Sequence, residues 1–75
     1  MYIVQEIQTN DNGQIGILSY QYENKKEAES KYYLILSAAA VSTLPVHSAM
    51  LFTNEGTVVL NTCFRREIVP AVLDE

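Results

Sequence analysis

Seventy-five residues make room for one small domain, and a formal net charge of −4, from five Lys/Arg against nine Asp/Glu, argues against a nucleic-acid partner because phosphate binding needs clustered cations. One cysteine, Cys63, and one histidine, His47, exclude a disulfide framework and a Cys/His zinc site, so neither a metal nor another cofactor is expected. The lone cysteine fits a reducing compartment, no charged and apolar leader opens the chain, and the uncharged run Tyr32 to Asn54 is broken by Ser, Thr, Pro and His. A cytoplasmic protein without a membrane span is therefore expected.

Tyr2 to Gln8 alternates as a half-buried strand does, with Ile3 and Ile7 on one side and Tyr2, Val4 and Glu6 on the other. Thr9-Asn10-Asp11-Asn12-Gly13 is a turn signal that suits a type I′ turn or a bulged longer loop. Gln14 to Tyr22 returns as the second strand, with its inward face open between Ile15/Ile17 and Leu18/Tyr20. Gly16 within it points to a bulge or a close backbone approach.

Asn24 to about Leu44 is the helical stretch. Asn24 is placed to cap it, Glu27 completes the capping-box spacing, and Pro45 stops it near Thr43. Ala28, Tyr32, Ile35, Leu36, Ala39 and Ala40 recur at steps of three and four and predict the buried stripe. Tyr33, Leu34, Ser37 and Val41 carry apolar surface beyond that stripe, onto the back of the helix.

Val46 to Thr53 reads as the third strand, with Met50 and Phe52 on one face and Ala49 and Leu51 on the other. Asn54-Glu55-Gly56 turns the chain into a fourth, Thr57 to Phe64, with Val58 and Leu60 opposite Val59, Asn61 and Cys63. The order strand, strand, helix, strand, strand predicts an α+β fold, a two-layer ββαββ domain over residues 1–66. One central helix packs on a four-stranded antiparallel sheet whose strand order stays open. Residues 67–75 read as a tail, frayed or docking on a partner through Ile68, Val69, Val72 and Leu73. The basic pairs Lys25–Lys26 and Arg65–Arg66 have acid nearby and read as solvated surface charge.

The segments Ala28 to Tyr32 (A-E-S-K-Y), Ala38 to Ser42 (A-A-A-V-S) and Val46 to Ala49 (V-H-S-A) resemble, in order and spacing, the signature of a group of small uncharacterised proteins. These are found in prophages and conjugative elements of Gram-positive bacteria. The resemblance implies a phage or mobile-element origin and carries no activity with it. The group often has His after the Tyr of its first motif and an aromatic-x-His at the end of its last strand. Here those places hold Tyr33 and Phe64-Arg65-Arg66, so chemistry built on those histidines is not expected.

His47 is the natural residue to test for acid-base work. As a base it would serve Ser48, Ser42 or Cys63, with Glu67 or Glu6 as orienter, in a small hydrolase-like enzyme or enzyme subunit. The competing reading has His47 and Ser42 satisfying backbone groups where the helix gives way to the strand. Cys63, beside Arg65 and Arg66, is a reactive thiol only if exposed. Tyr2, Tyr20 and Tyr22 share a parity that lines one sheet face. With Tyr33 and Val41 they are the candidate contact residues, because tyrosine is favoured at interfaces. No nucleophile elbow, phosphate-binding glycine loop or carboxylate pair is present, so a non-enzymatic interaction or assembly module is expected. A core this small gains from self-association as a homo-oligomer, a dimer first, with a protein partner as the other occupant.

Overall fold

The computed structural model describes residues 1–66 and places five elements along them: β1 (Tyr2–Thr9), β2 (Ile15–Tyr22), α1 (Lys25–Ala40), β3 (Val46–Thr53) and β4 (Val58–Arg65). The tail expected at 67–75 lies outside the described residues. The four strands form one antiparallel sheet in the order β2-β1-β3-β4, so the first strand of each hairpin is central and the second lies at an edge. The α+β, two-layer ββαββ architecture is thus the one read from the sequence.

Both hairpins close in the same way. Gly13 N–H donates to the Asn10 carbonyl and Asn10 N–H to that of Gln14; Gly56 N–H donates to Thr53 and Thr53 N–H to Thr57. In each, the glycine that closes the turn sits at positive φ, 86° at Gly13 and 91° at Gly56. That conformation is open to glycine without steric cost, and it produces the bulged longer loop rather than the two-residue turn. The side chains of Asn10 and Thr53 complete the loops by accepting from Gln14 N–H and Thr57 N–H.

Asn24 caps α1, its Oδ1 accepting from Lys26 N–H at 2.7 Å and Glu27 N–H at 3.4 Å. The helix ends at Ala40 rather than near Thr43, because Val41 takes a non-helical conformation while its N–H still reaches the Ala38 and Ala39 carbonyls. Of the expected stripe, Ala28, Tyr32, Ile35 and Ala39 are buried, Leu36 is half-buried and Ala40 is exposed. The helix packs mainly on the two central strands, where Val4, Ala49 and Leu51 are buried. Each large apolar side chain so enclosed contributes about 1.5–3 kcal/mol. Val4 pairs with Tyr20 on one side and Leu51 on the other, and Leu51 with Leu60. Register therefore decides the second strand: Leu18 and Tyr20 face the helix, while Ile15 and Ile17 face away.

Two details depart from the sequence expectation. Gly16 makes no bulge, since β1 and β2 pair without a shift, and nothing lies within 4 Å of a Cβ placed on it. The irregularity sits instead between Leu51 and Phe52, where Phe52 pairs with Val58 and Leu51 with Leu60. Val59 is the extra residue, so Val58 joins Asn61 and Cys63 on the far face and Leu60 turns to the helix.

Candidate functional site

His47 enters the interior through the alternation of β3, which sends His47, Ala49 and Leu51 toward the helix. The β1–β3 register puts it opposite Gln8 and one step from Glu6, which projects from the same face. Its Nε2 lies 2.6 Å from Glu6 Oε2, and Gln8 Nε2 donates to the same oxygen at 2.9 Å. The histidine side chain is 6% exposed and the glutamate 13%. Burial opposes ionisation of Glu6. The hydrogen bonds from His47 and Gln8, with the charges of His47 and Lys31, outweigh that effect and hold the carboxyl below the ordinary carboxylate value. His47 Nδ1 is buried without a hydrogen-bond partner among the described residues.

Such a pair is able to orient an imidazole and polarise its second nitrogen, which is half of a nucleophilic site. The sheet separates it from the other half. Ser48 pairs with Cys63 on the face turned away from the helix, one alternation step from His47. Cys63 is an exposed free thiol there. The hydroxyl of Ser42 accepts from Leu44 N–H, closing the turn after the helix as expected of it. His47 takes no part in that junction; its partner is the Glu6 carboxylate. Among the described residues no three His, Cys, Asp or Glu side chains come together as a metal site. A surface hollow of about 210 Å³ beside Gln8 is lined by Gln8, Asn10, Gln14, Ile15, Gly16 and Leu44, without His47.

The junction is held by a residue read from sequence as surface charge. Arg66 donates from Nε to the Ser42 carbonyl and from a terminal nitrogen to those of Ala39 and Ala40, each at 2.8 Å. Its own N–H donates to Pro45. The last turn of α1 contains no basic residue, so this guanidinium supplies both the donors and the positive charge its carbonyl end favours. Arg66 thereby ties β4 to the helix terminus. Lys25, Lys26 and Arg65 stay exposed.

Tyr2, Tyr20 and Tyr22 line one sheet face together, and it is the face beneath the helix, where all three are half-buried against the core. Lys31 Nζ lies 4.1 Å from the Tyr20 ring centroid, a cation–π contact across that margin. Tyr33 and Val41 project outward from α1, 55% and 82% exposed. The face away from the helix is the apolar surface that the tyrosine count did not reveal. Ile3, Ile7, Ile17, Met50, Phe52 and Val58 share it, and none of them is buried. Its signal in the sequence was the second apolar parity of β1 and β3.

No helix among the described residues is long and apolar enough to cross a membrane. No family model, curated protein or solved structure matches the chain.

Proposed function

We propose that the chain is a non-enzymatic protein-interaction and assembly module of phage or mobile-element origin that self-associates through the sheet face turned away from α1. The observation that carries this reading is the pairing of Ile7 with Ile17 and of Ile3 with Phe52 on a face over which no described element packs. Large apolar residues occupy this face among Gln5, Ser19, Ser48 and Asn61, and an exposed apolar patch rimmed and interrupted by polar residues marks a contact surface. Strands of eight residues, four abreast, give a face of about 26 by 19 Å, hence about 1,000 Å² of flat contact for two copies. That area lies at the lower limit of a specific interface. The mobile-element origin rests on the resemblance of the helix and third-strand motifs alone.

The test is light-scattering mass across protein concentration for the parent chain and Met50→Lys. A charge at the centre of the face lowers the mass of an assembly that uses it and leaves the mass of a monomer unchanged.

A second reading, a small hydrolase-like enzyme or enzyme subunit centred on His47, is favoured by the Glu6–His47 contact and by an Nδ1 that has no partner among the described residues. Turnover of activated esters that His47→Gln abolishes supports it, and no turnover above buffer removes it.

A further inference from the structure

We infer that β2 is a second self-pairing surface, an open edge onto which β2 of another copy adds antiparallel, making the assembled form a dimer of dimers. This rests on the proposed self-association and names a contact distinct from the sheet face. The two edges of the sheet are unlike. β4 carries the register shift opposite Leu51 and Phe52, a cationic Arg65, and an exit residue, Arg66, bound to the helix end. Bulges and charges of this kind hinder the addition of a further strand. β2, Ile-Gly-Ile-Leu-Ser-Tyr-Gln-Tyr, has no charged residue and no proline, and pairs with β1 over its whole length without a shift. Among the described residues nothing pairs with its outer side, which thus presents an uninterrupted row of backbone donors and acceptors.

The occupant is identified by charge and by symmetry. A chain of net charge −4 meets its own copy most easily where neither side carries charge. Each of the other strands holds an ionisable residue, Glu6, His47 or Arg65, and β2 holds none of those types. No side chain of β2 itself is charged, and the one cation at its margin, Lys31, is already engaged by the Tyr20 ring, so an antiparallel copy of the same neutral strand matches it better than a charged peptide does. The hydrogen bond from Asn10 N–H to Gln14 sets the alternation that turns Gly16, Leu18 and Tyr20 toward β1, leaving Ile15, Ile17 and Ser19 to face outward. A two-fold axis beside Leu18 sets this residue against its own copy as a close, non-hydrogen-bonded pair and matches Ile17 with Ser19 on either side.

Side-chain exposure agrees. Ile15, Ile17 and Leu18 are 66%, 57% and 51% exposed although they lie within a strand. Leu18 is on the helix side, yet α1 leaves it open because the helix lies over β1 and β3. The face-to-face contact covers Ile15 and Ile17 but not Leu18. A neighbour along the edge covers all three, and it adds to the small area that the face supplies alone.

The experiment is solution mass on the full chain for the parent, Leu18→Lys, Ser19→Pro and Met50→Lys, with folding checked by circular dichroism. A second readout is oxidative crosslinking of Leu18→Cys in a Cys63→Ser background. The expected parent is a tetramer. Leu18→Lys, and Ser19→Pro through loss of an outward N–H, each halve the mass, Met50→Lys also halves it, and the Leu18→Cys chain crosslinks into covalent dimers. An oligomeric parent whose mass neither Leu18→Lys nor Ser19→Pro changes, and which gives no crosslink, overturns the edge and leaves the sheet-face reading standing. A parent that is monomeric at every concentration overturns the self-association reading itself.

Discussion

Nε2 of His47 lies 2.6 Å from Oε2 of Glu6, a contact between two interior-facing side chains separated by 41 positions in the chain. The environment lowers the Glu6 pKa, so the folded state binds fewer protons than the unfolded chain in the acid range. The stabilisation is fully present above the unfolded value, near 4.5, and is lost as pH falls through the lower folded value. Thermal melts from pH 7 to pH 3 are expected to show the melting temperature dropping across that acid window. Glu6→Gln is expected to flatten the drop while costing roughly 1–3 kcal/mol at neutral pH, the range for a buried hydrogen bond to a charged group.

Arg66 closes the carbonyl end of α1 from a distant strand end. Arg66→Ala is expected to cost roughly 1–3 kcal/mol in urea unfolding, since charge-assisted bonds are lost and three carbonyls return to water. Arg66→Lys recovers only part, because an ammonium lacks the planar fork that serves Ser42, Ala39 and Ala40 together. Hydrogen exchange at the last helical turn should accelerate in the alanine variant.

The Tyr32 hydroxyl and Thr62 Oγ1, 2.7 Å apart, join the helix to β4. Tyr32→Phe and Thr62→Val are each expected to cost about 1 kcal/mol, and the double variant less than their sum, because either change alone leaves the other hydroxyl without its partner. Additive costs in the cycle would show that the two groups are not coupled.

The glycines separate conformational from packing roles. Gly13→Ala and Gly56→Ala force a Cβ into positive φ and are expected to cost about 1–2 kcal/mol each. Gly16→Ala, in extended backbone with open space above it, is expected to be neutral or slightly stabilising. Chemical denaturation of the three variants distinguishes these outcomes.

Local features were legible. Asn24 announced the helix start, Gly13 and Gly56 the positions of the two hairpin turns though not their form, and the alternation of Val4 against Ile3 and Ile7, or of Ala49 and Leu51 against Met50 and Phe52, already sorted the two sheet faces. What stayed hidden depends on register between distant segments. The sequence named Glu6 beside Glu67 as a partner for His47, but only the pairing of β1 with β3, with Gln8 opposite His47, brings Glu6 to the imidazole, and a strand order left open by the sequence cannot make that choice. Arg66 reads as solvated charge until the chain path carries it to the helix end. The bulge at Val59 has no marker among valines and leucines that fit either face. The tyrosines drew notice by number, but register placed Tyr2, Tyr20 and Tyr22 beneath the helix and left isoleucines, Met50 and Phe52 on the open side.

The most direct test of the central claim is the solution mass of the full chain by light scattering across concentration, beside Met50→Lys. The expected parent mass is a multiple of the 8.4 kDa chain, falling on substitution of Met50. A parent that stays at the single-chain mass at every concentration, with Met50→Lys indistinguishable from it, would contradict the assembly reading.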